Sequence, residues 1–184
     1  GGNPHDRLDP VSSAKIITSH VDEGIELARK YKLPEKVIDF IPEHHGTTLV
    51  AYFYRLDVQD SDTDIVDEGL FRYKGPKPQS KETAIVMLAD SIEALVRANR
   101  PGTQPEVERL IRQIINDRLV SGQLDECDLT LRDLDKIRLA FASVLQGVFH
   151  PRIQYPEREK PVRSLVQTTD NENSGEETIN QPAG

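Results

Sequence analysis

The chain has 184 residues and is acidic, with 23 Lys and Arg against 31 Asp and Glu and a formal net charge of −8. That balance excludes a sequence-blind binder of polymeric nucleic acid, which needs a net basic face to displace counterions. A lone cysteine, Cys127, excludes an internal disulfide and a Cys-based zinc site and suits a reducing, cytoplasmic compartment, and no apolar run approaches the ~20 residues of a membrane helix.

In chain order, Asp9 reads as an N-cap and Pro10 suits the first helical position. Ala14, Ile17, Val21, Ile25 and Ala28 then recur with helical period, which predicts a first helix from Val11 to about Lys30. Pro34 opens a second helix carrying Val37, Ile38 and Ile41. It stops near His45 with Gly46 as the stop residue, and Pro42 inside it forces a kink or a tight last turn. Thr48 caps a short helix from Leu49 to about Leu56.

The stretch from about 57 to 79 reads as a loop. Its first part, Asp57 to Glu68, is acidic and mobile; its second, Phe71 to Gln79, is basic and stiffened by Gly75, Pro76 and Pro78. A strong helix follows from Lys81 to about Asn99, apolar nearly all round at Ala84 to Ala89 and therefore central, ended by Pro101-Gly102. Thr103 and Glu106 have capping-box spacing for a helix to about Val120, closed by Gly122. Thr130 and Asp133 cap the last helix, from Leu131 to about Val148. Residues 157–184 have little to bury and read as a disordered tail. The expected class is all-α: one domain over residues 1–156, about six helices and one long loop.

The candidate chemistry lies on histidines and one aspartate. His20 is on the apolar side of the first helix, as a core histidine bonded to a carbonyl or as a ligand. Asp90 follows six apolar residues directly and should be partly desolvated. It needs a cation, a metal or several donors, unless it caps or pairs with a residue such as Arg97. His44 and His45 point about 100° apart on a helix, so the pair can serve two neighbouring ions or one ion and a substrate; a solvated helix end is the alternative. Four nitrogen and oxygen ligands on three helices, without Cys, suit Fe, Mn or Zn better than a structural zinc.

Several strings carry a resemblance. They are Asn3-Pro4-His5-Asp6, Ala14-Lys15-Ile16-Ile17, Ser19-His20-Val21, Glu43-His44-His45-Gly46-Thr47-Thr48, Phe71-Arg72-Tyr73 with Gly75-Pro76-Lys77-Pro78-Gln79, Met87-Leu88-Ala89-Asp90-Ser91, Asp117-Arg118-Leu119 and Gly122-Gln123-Leu124-Asp125-Glu126-Cys127. Together, over about residues 2–156, the chain resembles the cytosolic HD domain of bacterial seven-transmembrane receptors with an intracellular HD hydrolase.

The resemblance implies an HD-type helical bundle, here its C-terminal portion, and a metal-dependent phosphodiesterase that converts cyclic di-AMP to the linear dinucleotide with a two-metal centre of Fe or Mn. It implies His20, His44, His45 and Asp90 as metal ligands. In the family the first His and the His-Asp pair precede the point where this chain starts, and Asn-Pro-His-Asp follows them, so His5 and Asp6 are not counted as ligands. The implied partners are therefore the cyclic dinucleotide and the N-terminal half of the domain, with a homodimer as a further possibility. In the full-length family protein the domain sits on the cytosolic side of an inner-membrane receptor, and without the first half this chain is expected to be a poor hydrolase. Arg72, Lys74 and Lys77 could pair with phosphates, with Tyr73 or Phe71 stacking on adenine; a solvated loop balancing the acidic stretch is the alternative. The rival function is a catalytically inactive HD-like module that binds a nucleotide or a protein, and beyond it a plain helical interaction domain.

Overall fold

The structure is a computed structural model that describes residues 8–60 and 66–148; the side chains of Asp60, Gly147 and Val148 are not described. His5, Asp6, His150 and the expected tail 157–184 lie outside the described residues. Every regular element among the described residues is helical. The elements are α1 (Pro10–Lys30), α2 (Glu35–Ile38), α3 (Phe40–Glu43), α4 (Ala51–Asp60), a 3-10 turn (Glu68–Phe71), α5 (Lys81–Asn99), α6 (Gln104–Val120) and α7 (Leu131–Val148).

The caps act where the sequence places them. The Asp9 carboxylate accepts the Ser12 N–H at 2.8 Å and is held below its ordinary pKa by that bond. Glu106 accepts from the Gly102 and Thr103 N–H groups at 2.8 and 3.2 Å, and Asp133 accepts from the Thr130 N–H and hydroxyl at 3.2 and 2.9 Å. Lys81 ties the last cap back to α5 through an ion pair with Asp133 at 2.9 Å.

Three expectations differ in detail. The second helix is two short turns, α2 and α3. Pro42 has no N–H to give the Ile38 carbonyl, so the hydrogen-bond ladder breaks there. The helix expected from Leu49 begins at Ala51, because this backbone pairs with another segment: Val50 N–H donates to Phe71 C=O at 2.8 Å, and Tyr73 N–H to Thr48 C=O at 3.0 Å. An isolated antiparallel bridge joins Leu49 and Arg72 in the same place. Finally, the stretch 57–79 is not loop throughout. Residues 57–60 complete α4, and the Asp67 carboxylate caps the 3-10 turn by accepting the Gly69 N–H at 2.9 Å. That turn drives Phe71 to full burial.

Two apolar clusters position the site. Met87, Leu88, Ile92 and Val96 of α5 pack on Val107, Leu110, Ile111 and Ile114 of α6 and on Leu134 and Ala142 of α7. Burying each such side chain contributes roughly 1.5–3 kcal/mol. Ala14 of α1, Phe53 of α4 and Phe71 form the second cluster. The His44 to Thr48 turn crosses between them. Gly46 there has φ +52°, and a Cβ on it would stand 2.6 Å from Gln123 Oε1 and 2.8 Å from Met87 Cε, so only glycine fits. No helix among the described residues is long and apolar enough to cross a membrane.

Candidate metal centre

His20 projects from α1, and His44 and His45 follow directly on α3. One ligand nitrogen from each lies within 4.8 Å of the others, and this is the one cluster of ligand-type side chains that closes so tightly among the described residues. His20 is exposed, not in the core, yet its Nδ1 lies 2.6 Å from the Ile17 carbonyl. His44 Nδ1 lies 2.6 Å from the Ile41 carbonyl and 3.1 Å from that of Phe40. A carbonyl only accepts, so both Nδ1 atoms carry the proton and both Nε2 atoms keep a free lone pair. That is how histidine ligands are oriented for a cation.

His45 Nε2 stands 3.1 Å from His20 Nε2, a separation that lets both nitrogens reach one divalent ion at ~2.1 Å each. Burial, then the neighbouring His44, His20 and Arg118 side chains, push the His45 ring down to about 3. It is therefore neutral, the ligating form, across the ordinary pH range. The Tyr73 ring covers His45, and burial, helped by the Asp90 charge, lifts its hydroxyl to about 12. These donors fit a divalent transition metal: three imidazoles, two with fixed tautomers, from two chain segments.

Asp90 lies outside the trio. It was expected to be partly desolvated and is exposed, because one stripe of α5, Glu82, Ile85, Val86, Asp90 and Glu93, faces outward. Its charge nonetheless helps to raise the hydroxyl of Tyr73, the ring stacked on His45. The basic loop is largely engaged. Arg72 pairs with Glu68 and donates to the Thr47 carbonyl at 2.7 Å, and Lys74 pairs with Asp22 at 2.7 Å, with all four side chains well exposed. The Lys77 ammonium reaches the Gly122 turn at the end of α6.

Three residues around the site went unassigned in the sequence. Glu43 is 5% exposed, and its Oε2 accepts from the Gln79 N–H at 2.8 Å and the Thr83 hydroxyl at 2.5 Å, which ties the histidine turn to the start of α5. Gln123 is 1% exposed and holds Thr47 from both ends of its amide, Oε1 accepting the Thr47 N–H at 3.0 Å and Nε2 donating to its hydroxyl at 3.0 Å. Arg118 donates to the Ser91 hydroxyl at 2.9 Å. An acidic residue immediately before a His pair was a visible signal for Glu43. Gln123 reaches across 76 positions, and no local pattern announces such a contact.

An all-helical fold carrying a histidine cluster on its first and third helices is the architecture of an HD domain. The HD domain family profile matches residues 2–95, and the chain belongs to that family. It is 46% identical over 161 residues, 88% of its length, to the cyclic-di-AMP phosphodiesterase PgpH of Bacillus subtilis. It is 44% identical over 157 residues, 85% of its length, to the PgpH of Listeria monocytogenes. The chain spans 22% of the length of each of these relatives. The crystal structure of the L. monocytogenes PgpH HD domain in complex with cyclic di-AMP superposes with a TM-score of 0.77 at 43% identity, over 83% of this chain and 71% of that one.

Proposed function

We propose that this chain is part of a metal-dependent phosphodiesterase that hydrolyses a cyclic dinucleotide, cyclic di-AMP, to the linear dinucleotide. The observation that carries the reading is the convergence of His20, His44 and His45 with two Nε2 lone pairs freed by backbone carbonyls. The names of the relatives and the dinucleotide in the L. monocytogenes domain supply the substrate.

In this reading His20, His44 and His45 hold a divalent metal, iron or manganese, and Asp90 adds a carboxylate; two ions are expected in the complete site. Such ions polarise a phosphoryl oxygen and lower the pKa of bound water. The chain's own residues do the rest. The Ile17 and Ile41 carbonyls hold the protons at Nδ1 of His20 and His44. Tyr73 covers His45 and keeps water from that face. Lys77 and the exposed pairs of Arg72 and Lys74 offer cations to the dinucleotide, and exposed pairs exchange readily because each is worth only about 0–1 kcal/mol.

Ile16 and Leu27 on α1 and Tyr31 at its C-cap leave apolar surface exposed, which supports a covering partner, either a preceding half-domain or a second copy. The domain is assigned to the cytoplasm, as part of an inner-membrane receptor.

The test is cyclic di-AMP turnover with manganese by this chain and by a version extended with the N-terminal half of an HD domain. The extended protein should hydrolyse the substrate, the chain alone should do so poorly, and Asp90→Ala should abolish turnover. Binding without turnover by either form would point instead to an inactive nucleotide-binding module. Unchanged turnover in Asp90→Ala would overturn the ligand assignment.

A further inference from the structure

We propose that Arg118 is a substrate-binding residue that donates to a non-bridging phosphate oxygen at the histidine cluster; the proposal rests on the phosphodiesterase reading above. Arg118 lies in the last turn of α6, remote in sequence from both histidine segments. It is half-buried, and its one side-chain hydrogen bond among the described residues runs from Nη2 to the Ser91 hydroxyl at 2.9 Å, which anchors one edge of the guanidinium to α5. Its Nε is buried and has no partner among the described residues. A desolvated donor left unspent is costly, so Nε is available to an acceptor that enters the site.

The charges around it say what kind of ligand. Burial disfavours the Arg118 charge, and the acidic groups that oppose this are Asp117 and Asp90. Neither closes onto it: no ion pair among the described residues contains Asp90, Asp117 or Arg118. On the other side the end of α6 lies against the histidine turn, where Gln123 Oε1 accepts the Thr47 N–H at 3.0 Å and abuts Gly46. A metal on the three histidines would add further positive charge beside a fixed cation. A ligand anion between them would relieve that repulsion beyond what Asp90 supplies, and a phosphate oxygen, like a carboxylate, matches the planar fork of arginine. Ser91 then serves to fix the fork, as the residue following Asp90 in α5.

The rival role is structural, with Arg118 merely joining α6 to α5 or steadying Asp90. The experiment is calorimetric titration of the manganese-loaded protein with orthophosphate and with cyclic di-AMP, for the parent, Arg118→Gln and Arg118→Lys. Bound manganese and the urea midpoint are measured alongside. Arg118→Gln should weaken both ligands about tenfold while manganese content stays within error, since a charged hydrogen bond is lost and no metal ligand is touched. Arg118→Lys, which keeps the charge but not the fork, should fall between. Unchanged affinity in Arg118→Gln would overturn the proposal, as would loss of manganese in step with affinity, which would make Arg118 a brace for Asp90. If Arg118→Gln does not fold, Arg118→Lys decides, with threefold or greater weakening expected and parental affinity contradicting it. A parent protein that holds manganese but binds neither ligand would overturn the phosphodiesterase reading itself, and this proposal with it.

Discussion

The Tyr73 ring lies flat on His45, with centroids 4.2 Å apart and planes inclined by 18°. Tyr73 reaches that position because its N–H donates to the Thr48 carbonyl at 3.0 Å, clamping the basic loop across the histidine turn. The ring thus orients a ligand it does not replace. Tyr73→Phe keeps the stack and should bind manganese within about twofold of the parent. Tyr73→Ala frees the His45 ring and should weaken binding about tenfold, the usual scale for groups that orient a metal ligand. Equal losses in the two variants, measured by titration calorimetry, would show that the hydroxyl and not the stack matters.

Gly46→Ala should be among the most damaging single substitutions. Its φ of +52° disfavours any Cβ, and that Cβ would press on Gln123 Oε1 and Met87 Cε. A left-handed residue costs ~1–2 kcal/mol and overpacking a further ~1–3, so a loss of about 2–4 kcal/mol is expected in urea denaturation. A loss below 0.5 kcal/mol would mean that the turn relaxes freely.

Glu43 carries a similar load by a different means. Glu43→Ala strands the Gln79 N–H and leaves the Thr83 hydroxyl its longer bond to the Ser80 carbonyl at 3.2 Å, which should cost roughly 1–3 kcal/mol and loosen the neighbouring His44. Glu43→Gln keeps one acceptor oxygen and should lose about half as much. Denaturation of both variants beside the parent checks the order, and an Ala variant as stable as the Gln variant would contradict it.

His45 gives the metal-free protein a pH dependence with a definite sign. The ring titrates at about 3 in the folded chain against an ordinary 6.5, mainly because it is buried, with His44, His20 and Arg118 beside it. Below about pH 6.5 the unfolded chain takes up a proton that the folded chain refuses, so stability falls as pH drops from 6.5 toward 3. His45→Gln removes that uptake and should flatten the profile. Urea midpoints in chelator at pH 7.5, 6.0 and 5.0 test this; parallel profiles for the two proteins would contradict it.

The long helices were legible because their signals are local. Asp9-Pro10, Thr103 with Glu106 and Thr130 with Asp133 each mark an end within three residues, and the apolar period between them marks the body. The approach of His20 to the His44-His45 pair was an expectation of the resembled family, and the folded chain brings these three rings together. What stayed hidden depends on long-range partners. Leu49 has the composition of a helix but spends its backbone on Arg72. Asp90 looked buried because its preceding neighbours are apolar, yet the stripe of α5 it shares with Ile85 and Val86 is uncovered. Arg118 reads at the end of a helix as an ordinary dipole partner, and only its packing against Ser91 and its unspent Nε set it apart.

The central claim is that His20, His44 and His45 together bind a divalent metal. The most direct measurement is equilibrium binding of manganese to the chain, followed by calorimetry and confirmed by elemental analysis after dialysis, for the parent and for His20→Ala, His44→Ala and His45→Ala. At least one ion per parent chain is predicted, with affinity reduced tenfold or more by each substitution while the helical content is kept. Manganese binding that survives all three substitutions, or a parent chain that retains no manganese, iron or zinc, would contradict the account.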